Sequence, residues 1–168
     1  MQETPADLEA MQAVLDASYA RANPHLLRIH DPEHRLDAAG VAERLHDMVL
    51  LTLATVTRDG RPITGPVDGI FYRGAFHFGS SPESVRFRHI RARPRVSATH
   101  LPGEHLAVSV HGRAEVVDMA APEHAELRQT ILGIYLPRYG AEWEPNIMDS
   151  GAAYARIAAD RMFAFHME

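Results

Sequence analysis

Two glycine turns, Asp59-Gly60 and Arg73-Gly74, cut residues 49–80 into three short segments of alternating apolar and β-branched residues. Asp-Gly tolerates the positive φ angles of a tight hairpin turn whose twist matches the strands it joins. This stretch is therefore predicted to fold as a three-stranded antiparallel meander. Two more alternating segments, RVSATH (95–100) and HLAVSVHGRAEVVDM (105–119), flank the turn Leu101-Pro102-Gly103-Glu104. AYARIAADRMFAFHM (153–167) closes the chain as one bent strand or a pair.

Helical signals surround these strands. Leu8, Met11, Val14, Leu15 and Tyr19 have the spacing of an amphipathic helix over about 5–22, residues 23–35 read as a connector with two prolines, and Asp37 is a suitable N-cap for a helix to about Asp47. Ser81 to Arg93 reads as a short helix with Pro82 at its first position behind a serine cap, and Pro122 opens a helix to about Tyr139 with Leu127, Ile131, Leu132 and Tyr135 on one face. With at least six strands and little β-α-β alternation, the expected class is mainly β with flanking helices, a six-stranded antiparallel barrel. One domain is expected over 1–168: N-terminal helices at 1–47, a barrel core at 48–119, a helix at 122–140 and a closing strand at 153–167.

Composition removes several chemistries. The chain has no cysteine, so neither a disulfide framework nor a thiolate nucleophile is available, which fits a reducing compartment. All seventeen basic residues are arginine, so no lysine can form a Schiff base with pyridoxal phosphate. The formal net charge of -5 disfavours a general nucleic-acid binder. The first 22 residues are acidic rather than basic then apolar, and no run approaches the roughly 18 apolar residues of a membrane span, so a cytoplasmic protein without membrane contact is expected. His25, His30 and His34 lack the spacing of a helical zinc site, and no metal site is assigned. Trp143 and Tyr139 read as anchors of a loop on the barrel rather than as a lid.

The strongest chemical signal is FHFGSSPESVRFRHIR (76–91). It ends a strand, begins a helix, and supplies the hydroxyls of Ser80, Ser81 and Ser84, the free amides of a helix start, and the guanidinium groups of Arg86 and Arg91. An anionic phosphate takes such donors. The same arginines, with Arg88, Arg93 and Arg95, also fit a solvated basic face, and periodicity does not separate the two readings.

LATVTRDGRPITGPV, then FHFGSSPESVRFRHIRARPRVS, then VSVHGRAEVV resembles in its order the pyridoxamine 5'-phosphate oxidase-like split-barrel flavoproteins, a group that includes the deazaflavin-dependent reductases. The resemblance runs from about Leu45 to Asp118 and includes the closing strand. It implies an FMN-binding split barrel, with a deazaflavin coenzyme as the alternative cofactor and haem as a less favoured one. It implies that Thr64, Pro66, Val67 and Asp68 run along the flavin ring and that Ser80, Ser84 and Arg86 grip the phosphate, with arginine standing where lysine is usual. Arg88 and Arg91 would serve the longer acidic tail of a deazaflavin. Gly65 and Ile70 stand where members acting on pyridoxamine phosphate carry an arginine and a lysine, so that substrate is not implied. The resemblance further implies a homodimer with the cofactor at the subunit interface and with His111, Gly112 and Arg113 at the seam. The resulting expectation is hydride transfer between the flavin and a small molecule, with no catalytic side chain assigned. The alternative is a non-catalytic flavin- or haem-binding module on the same barrel.

Overall fold

The computed structural model describes residues 2–167. Six antiparallel strands close into a barrel in the order β1-β2-β3-β6-β5-β4, with β4 returning to β1. They are β1 (Met48–Val56), β2 (Pro62–Tyr72), β3 (Ala75–Ser80), β4 (Arg95–Gly103), β5 (Leu106–Val117) and β6 (Ala153–His166). Sequential strands pair through short turns. The exceptions are forced by the helical crossing between β3 and β4 and by the late arrival of β6, which fills the gap between β3 and β5. Both glycine turns are present, with positive φ at Gly60, at Gly74 and at Arg73 beside it.

The helices are α1 (Pro5–Ala20), α2 (Pro24–Ile29), α3 (Ala38–Arg44), α4 (Val85–Ala92) and α5 (Ala125–Tyr139). A capping box holds the start of α1: the Asp7 amide donates to Thr4 Oγ1 at 3.2 Å and the Thr4 amide donates to Asp7 Oδ2 at 2.8 Å. The predicted connector at 23–35 instead contains α2, because Asn23 accepts from the Leu26 amide while Pro24 occupies the first helical position. Asp37 caps α3 as expected, accepting from the Gly40 amide at 2.7 Å, but α3 ends at Arg44. Pro122 opens a short 3-10 turn that leads into α5. Among the described residues no helix is long and apolar enough to cross a membrane.

Alternation along β2 and β3 divides the apolar residues between two cores. Val67, Phe71, Phe76 and Phe78 point into the barrel, where they meet Leu51, Leu53, Val108, Ile157 and Met162, and α4 closes the same core with Phe87 and Ile90. Ile70 and Tyr72 point the other way and pack under α5 against Leu127, Ile131, Leu132, Tyr135, Met148 and Tyr154. The pleat of one sheet thus serves a core on each face.

The N-terminal helix docks on β6 of its own chain. Ser18 Oγ accepts from the Met162 amide at 2.9 Å, and the Tyr19 hydroxyl donates to the Ala164 carbonyl at 2.8 Å while lying 3.2 Å from the Ala164 amide. The sequence left the two-strand reading of 153–167 open; β6 is a single strand, bent where its register with β5 shifts between His111 and Gly112. A Cβ on Gly112 would lie 2.0 Å from the Ala158 carbonyl oxygen, which belongs to the backbone and cannot rotate away. Gly112→Ala is therefore expected to destabilise the fold by about 2 kcal/mol or more, as overpacked backbone contacts do. Chemical denaturation measures the loss, and an unchanged midpoint would show that the bulge is not so close.

Candidate functional site

Where α5 ends, its cover over the outer faces of β2, β3 and β6 stops, and a cavity of about 670 Å³ opens between those strands, the start of α4 and the chain after α5. That volume suits a small organic ligand or cofactor. Its two ends differ chemically.

One end is rich in donors. β3 delivers Ser80 to the cavity and Ser81 follows at its rim. Residues 81–84 form a turn in which the Ser84 amide donates to the Ser81 carbonyl at 3.0 Å. The cap of α4 is therefore Ser84, whose Oγ accepts from the Phe87 amide at 3.4 Å, and the helix starts at Val85 rather than at Pro82. Phe87 and Ile90, three residues apart on one face of α4, both enter the barrel. As N1 and N2 of α4, the amides of Val85 and Arg86 have no intrahelical partner. Arg86 reaches back across the cavity wall, and its Nη2 donates to the Pro66 carbonyl at 2.8 Å. An Ala at Gly65 would place its Cβ 3.6 Å from that same nitrogen.

The sequence-derived residues divide accordingly. Pro66, Val67, Asp68, Ser80, Ser81 and Arg86 all line the cavity. Thr64 lies further along β2 on an exposed stretch, and Ser84 turns its oxygen to its own helix. Arg91 is exposed; its Nη1 donates to the Pro82 carbonyl at 2.6 Å and so fastens the 81–84 turn from outside. His111 and Gly112 line a separate hollow of about 570 Å³ on the other side of the barrel, where Ser97 Oγ lies 2.8 Å from His111 Nδ1.

The other end is aromatic, and little in the sequence pointed to it. Tyr135 and Tyr139, one helical turn apart near the end of α5, lie with ring centroids 5.8 Å apart, and Trp143 packs on Tyr135 at 4.7 Å. Trp143 is thus both an anchor and a wall of the cavity. Tyr154 of β6 completes this end, its ring filling the space above Gly79. Burial raises the pKa of the Tyr135 hydroxyl far above its ordinary value, and the neighbouring Asp68 carboxylate adds to the effect. The same two causes push Tyr154 up to about 12. Both hydroxyls keep their protons at neutral pH. The i, i+4 spacing of Tyr135 and Tyr139 was the readable clue, although it also fits a plain core face.

His77 lies at the floor of the cavity and is only 5% exposed. Its Nδ1 lies 3.1 Å from the Ala75 carbonyl, which can only accept, so Nδ1 carries the proton and Nε2 is left as an acceptor. Burial holds the ring neutral, pushing its pKa down to about 4, with the charge of Arg156 a lesser cause. Among the described residues, no group of three or more His, Cys, Asp or Glu side chains is arranged to hold a metal ion.

Comparison with known proteins agrees with this architecture. The sequence profile of the family described as Pyridoxamine 5'-phosphate oxidase matches residues 38–163. No curated protein matches the chain. Among solved structures, a conserved hypothetical protein from Mycobacterium tuberculosis superposes with a TM-score of 0.67 at 23% identity, covering 82% of this chain and 89% of its own. A FAD-binding protein from Mesorhizobium loti gives a TM-score of 0.59 at 23% identity, over 79% of this chain and 96% of its own. The haem storage protein HutZ from Vibrio cholerae gives 0.60 at 16% identity, over 74% and 92%. At these identities the likeness is one of fold.

The buried imidazole makes stability depend on pH. Below its reference pKa of 6.5 the unfolded chain protonates His77, whereas the folded chain refuses the proton until about pH 4. A depressed folded pKa gives stability that is complete above the unfolded value and lost as pH falls towards the folded one, here worth up to about 3 kcal/mol. Urea denaturation of the native chain and of His77→Gln, at neutral pH and at about pH 4.5, isolates this site because the other histidines are common to both. The native chain should lose about 2–3 kcal/mol more than the variant; equal losses would mean that the ring is solvated.

Proposed function

The chain belongs to the pyridoxamine 5'-phosphate oxidase family, and from that premise we propose that it is a flavin-dependent oxidoreductase whose cofactor phosphate is held at the Ser80–Arg86 end of the cavity. The observation that carries this reading is the union, in one cavity, of a donor-rich end with a wide aromatic end. Ser80 and Ser81 offer hydroxyls, the first turn of α4 offers the Val85 and Arg86 amides, and Arg86 offers a planar guanidinium. The Pro66 carbonyl holds that guanidinium in place before any ligand arrives. A planar ring beside Pro66, Val67 and Asp68 would face the aromatic wall of α5.

A bound flavin supplies the hydride-transfer chemistry. The part of the chain itself is to orient and to exclude water: Trp143 and Tyr139 wall one side, Ile131 and Ile70 supply apolar surface, and the neutral His77 lies below. Oxidation of pyridoxamine phosphate is not part of this proposal. Gly65 offers no side chain, and Ile70 is buried in the outer core.

We further propose a homodimer. Leu50 of β1 and Leu101 of β4 are 62% and 61% exposed and sit side by side, one step beyond the Leu51–His100 pair. An adjacent pair of large apolar residues on the outside of a barrel is a natural seat for a second copy.

One observation favours a second reading, a haem-binding module. His77 has Nδ1 tied to a carbonyl and Nε2 free, the orientation that ligating histidines adopt. Absorption and mass spectra of the purified full chain separate the readings: a flavin or deazaflavin visible band with the mass of FMN or a deazaflavin supports the first, and an intense Soret band supports the second. Arg86→Ala should weaken flavin binding by about 2 kcal/mol, roughly 30-fold, through loss of a charge-assisted contact. Fluorescence titration with FMN measures it, and undiminished affinity would remove Arg86 from the phosphate site.

A further inference from the structure

Asp68 lines the cavity with the aromatic residues, and the flavin reading leaves its charge unused. It is half-buried, and none of the ion pairs among the described residues includes it. Arg86 does not neutralise it, since that guanidinium is turned to the Pro66 carbonyl. A carboxylate withdrawn from water without a cationic partner is costly. The Tyr135 and Tyr154 hydroxyls lie close enough for its charge to hold their protons more tightly. Tyr135, Tyr139 and Trp143 line the same cavity, Tyr135 packing on each of the other two.

An unpaired carboxylate beside several electron-rich ring faces is the environment that a positively charged organic group prefers, because ring quadrupoles and a carboxylate attract the same charge. We propose that the aromatic end of the cavity is a subsite for a substrate that carries an ammonium or amidinium group. The cation sits by Asp68, within reach of the Tyr139 and Trp143 faces. Glu83, in the turn that precedes α4, adds a second negative charge to the cavity lining, so approach of a cation is favoured. The subsite rests on the flavin reading only in calling its occupant a substrate.

Trp143 is the single tryptophan of the chain, so intrinsic fluorescence reports on this cavity alone. The test titrates the purified full chain with three probes of one shape: benzylammonium, benzyl alcohol and benzoate. Benzylammonium should quench saturably and bind about tenfold or more tighter than benzyl alcohol, with benzoate weakest. Asp68→Asn should abolish the preference for the cation, and Asp68→Glu should keep most of it. The ratio of cation to alcohol affinity is read within each variant, so a general loss of packing does not imitate the effect, and circular dichroism checks that each variant is folded. Equal affinity for all three probes, or a preference that survives Asp68→Asn, overturns the subsite. FMN affinity is measured on the same samples. Flavin binding without cation preference sinks the subsite alone, whereas cation preference without any flavin binding sinks the flavin reading alone.

Discussion

The pleat of β2 and β3 is the constraint on which the rest depends. Because successive side chains leave a strand on opposite faces, Phe71 and Phe76 enter the barrel while Ile70, Tyr72 and His77 emerge on its outside. The barrel cannot cover that outer face, so α5 does, and the cavity opens beside the C-terminal half of α5, between Ile131, Tyr135 and Tyr139 and the strands. Gly69 shows how little play the arrangement has, since a Cβ there would lie 2.3 Å from the His77 carbonyl oxygen across the β2–β3 ladder. A slip of one residue would exchange the two cores and dismantle the cavity wall along with them.

Much of the barrel was legible because turn chemistry and alternation are local. Asp59-Gly60 and Arg73-Gly74 fix the first three strands, and Pro94 separates α4 from β4, although β4 runs on past the predicted end at His100 through Pro102 to Gly103. The cap of α4 was misplaced by three residues because Ser81 and Ser84 are both acceptable caps, and residues 81–84 close a turn of their own before the helix begins. The short α2 was hidden by its prolines, which read as a connector although Asn-Pro is also a start signal. Half of the cavity was equally legible: FGSSPESVR places its donors within a few residues of one another. The aromatic half was not, because Asp68, Tyr135, Trp143 and Tyr154 come from three distant parts of the chain, and no spacing in sequence tells a wall of a cavity from a face of a core.

Charge in the cavity is segregated rather than paired. Elsewhere several arginines pair with carboxylates, among them Arg73 with Asp7 and Glu126, Arg128 with Glu144 and Asp149, and Arg156 with Glu115. The Arg128 pairs hold the turn at Glu144–Met148 against α5 and so brace the loop that carries Trp143. Arg86 and Asp68, by contrast, share one cavity without forming a pair, each held by uncharged neighbours. Such a separation is costly in a molecule with no ligand and is offset when groups of the opposite sign arrive at each end.

His77, Tyr135 and Tyr154 hold their protonation states through the neutral range. His77 stays neutral because its ring is buried, and Tyr135 and Tyr154 stay protonated because burial and Asp68 both oppose their ionisation. None is therefore poised to exchange a proton near pH 7, which a general acid or base needs to be. These three side chains position an occupant rather than exchange protons with it, which suits the proposed site, where the reactive group is brought by a cofactor. The charged groups of the lining are Arg86 and Glu83 near the start of α4 and Asp68 near the tyrosines, and the orientation of an occupant would follow from how its own charges meet them.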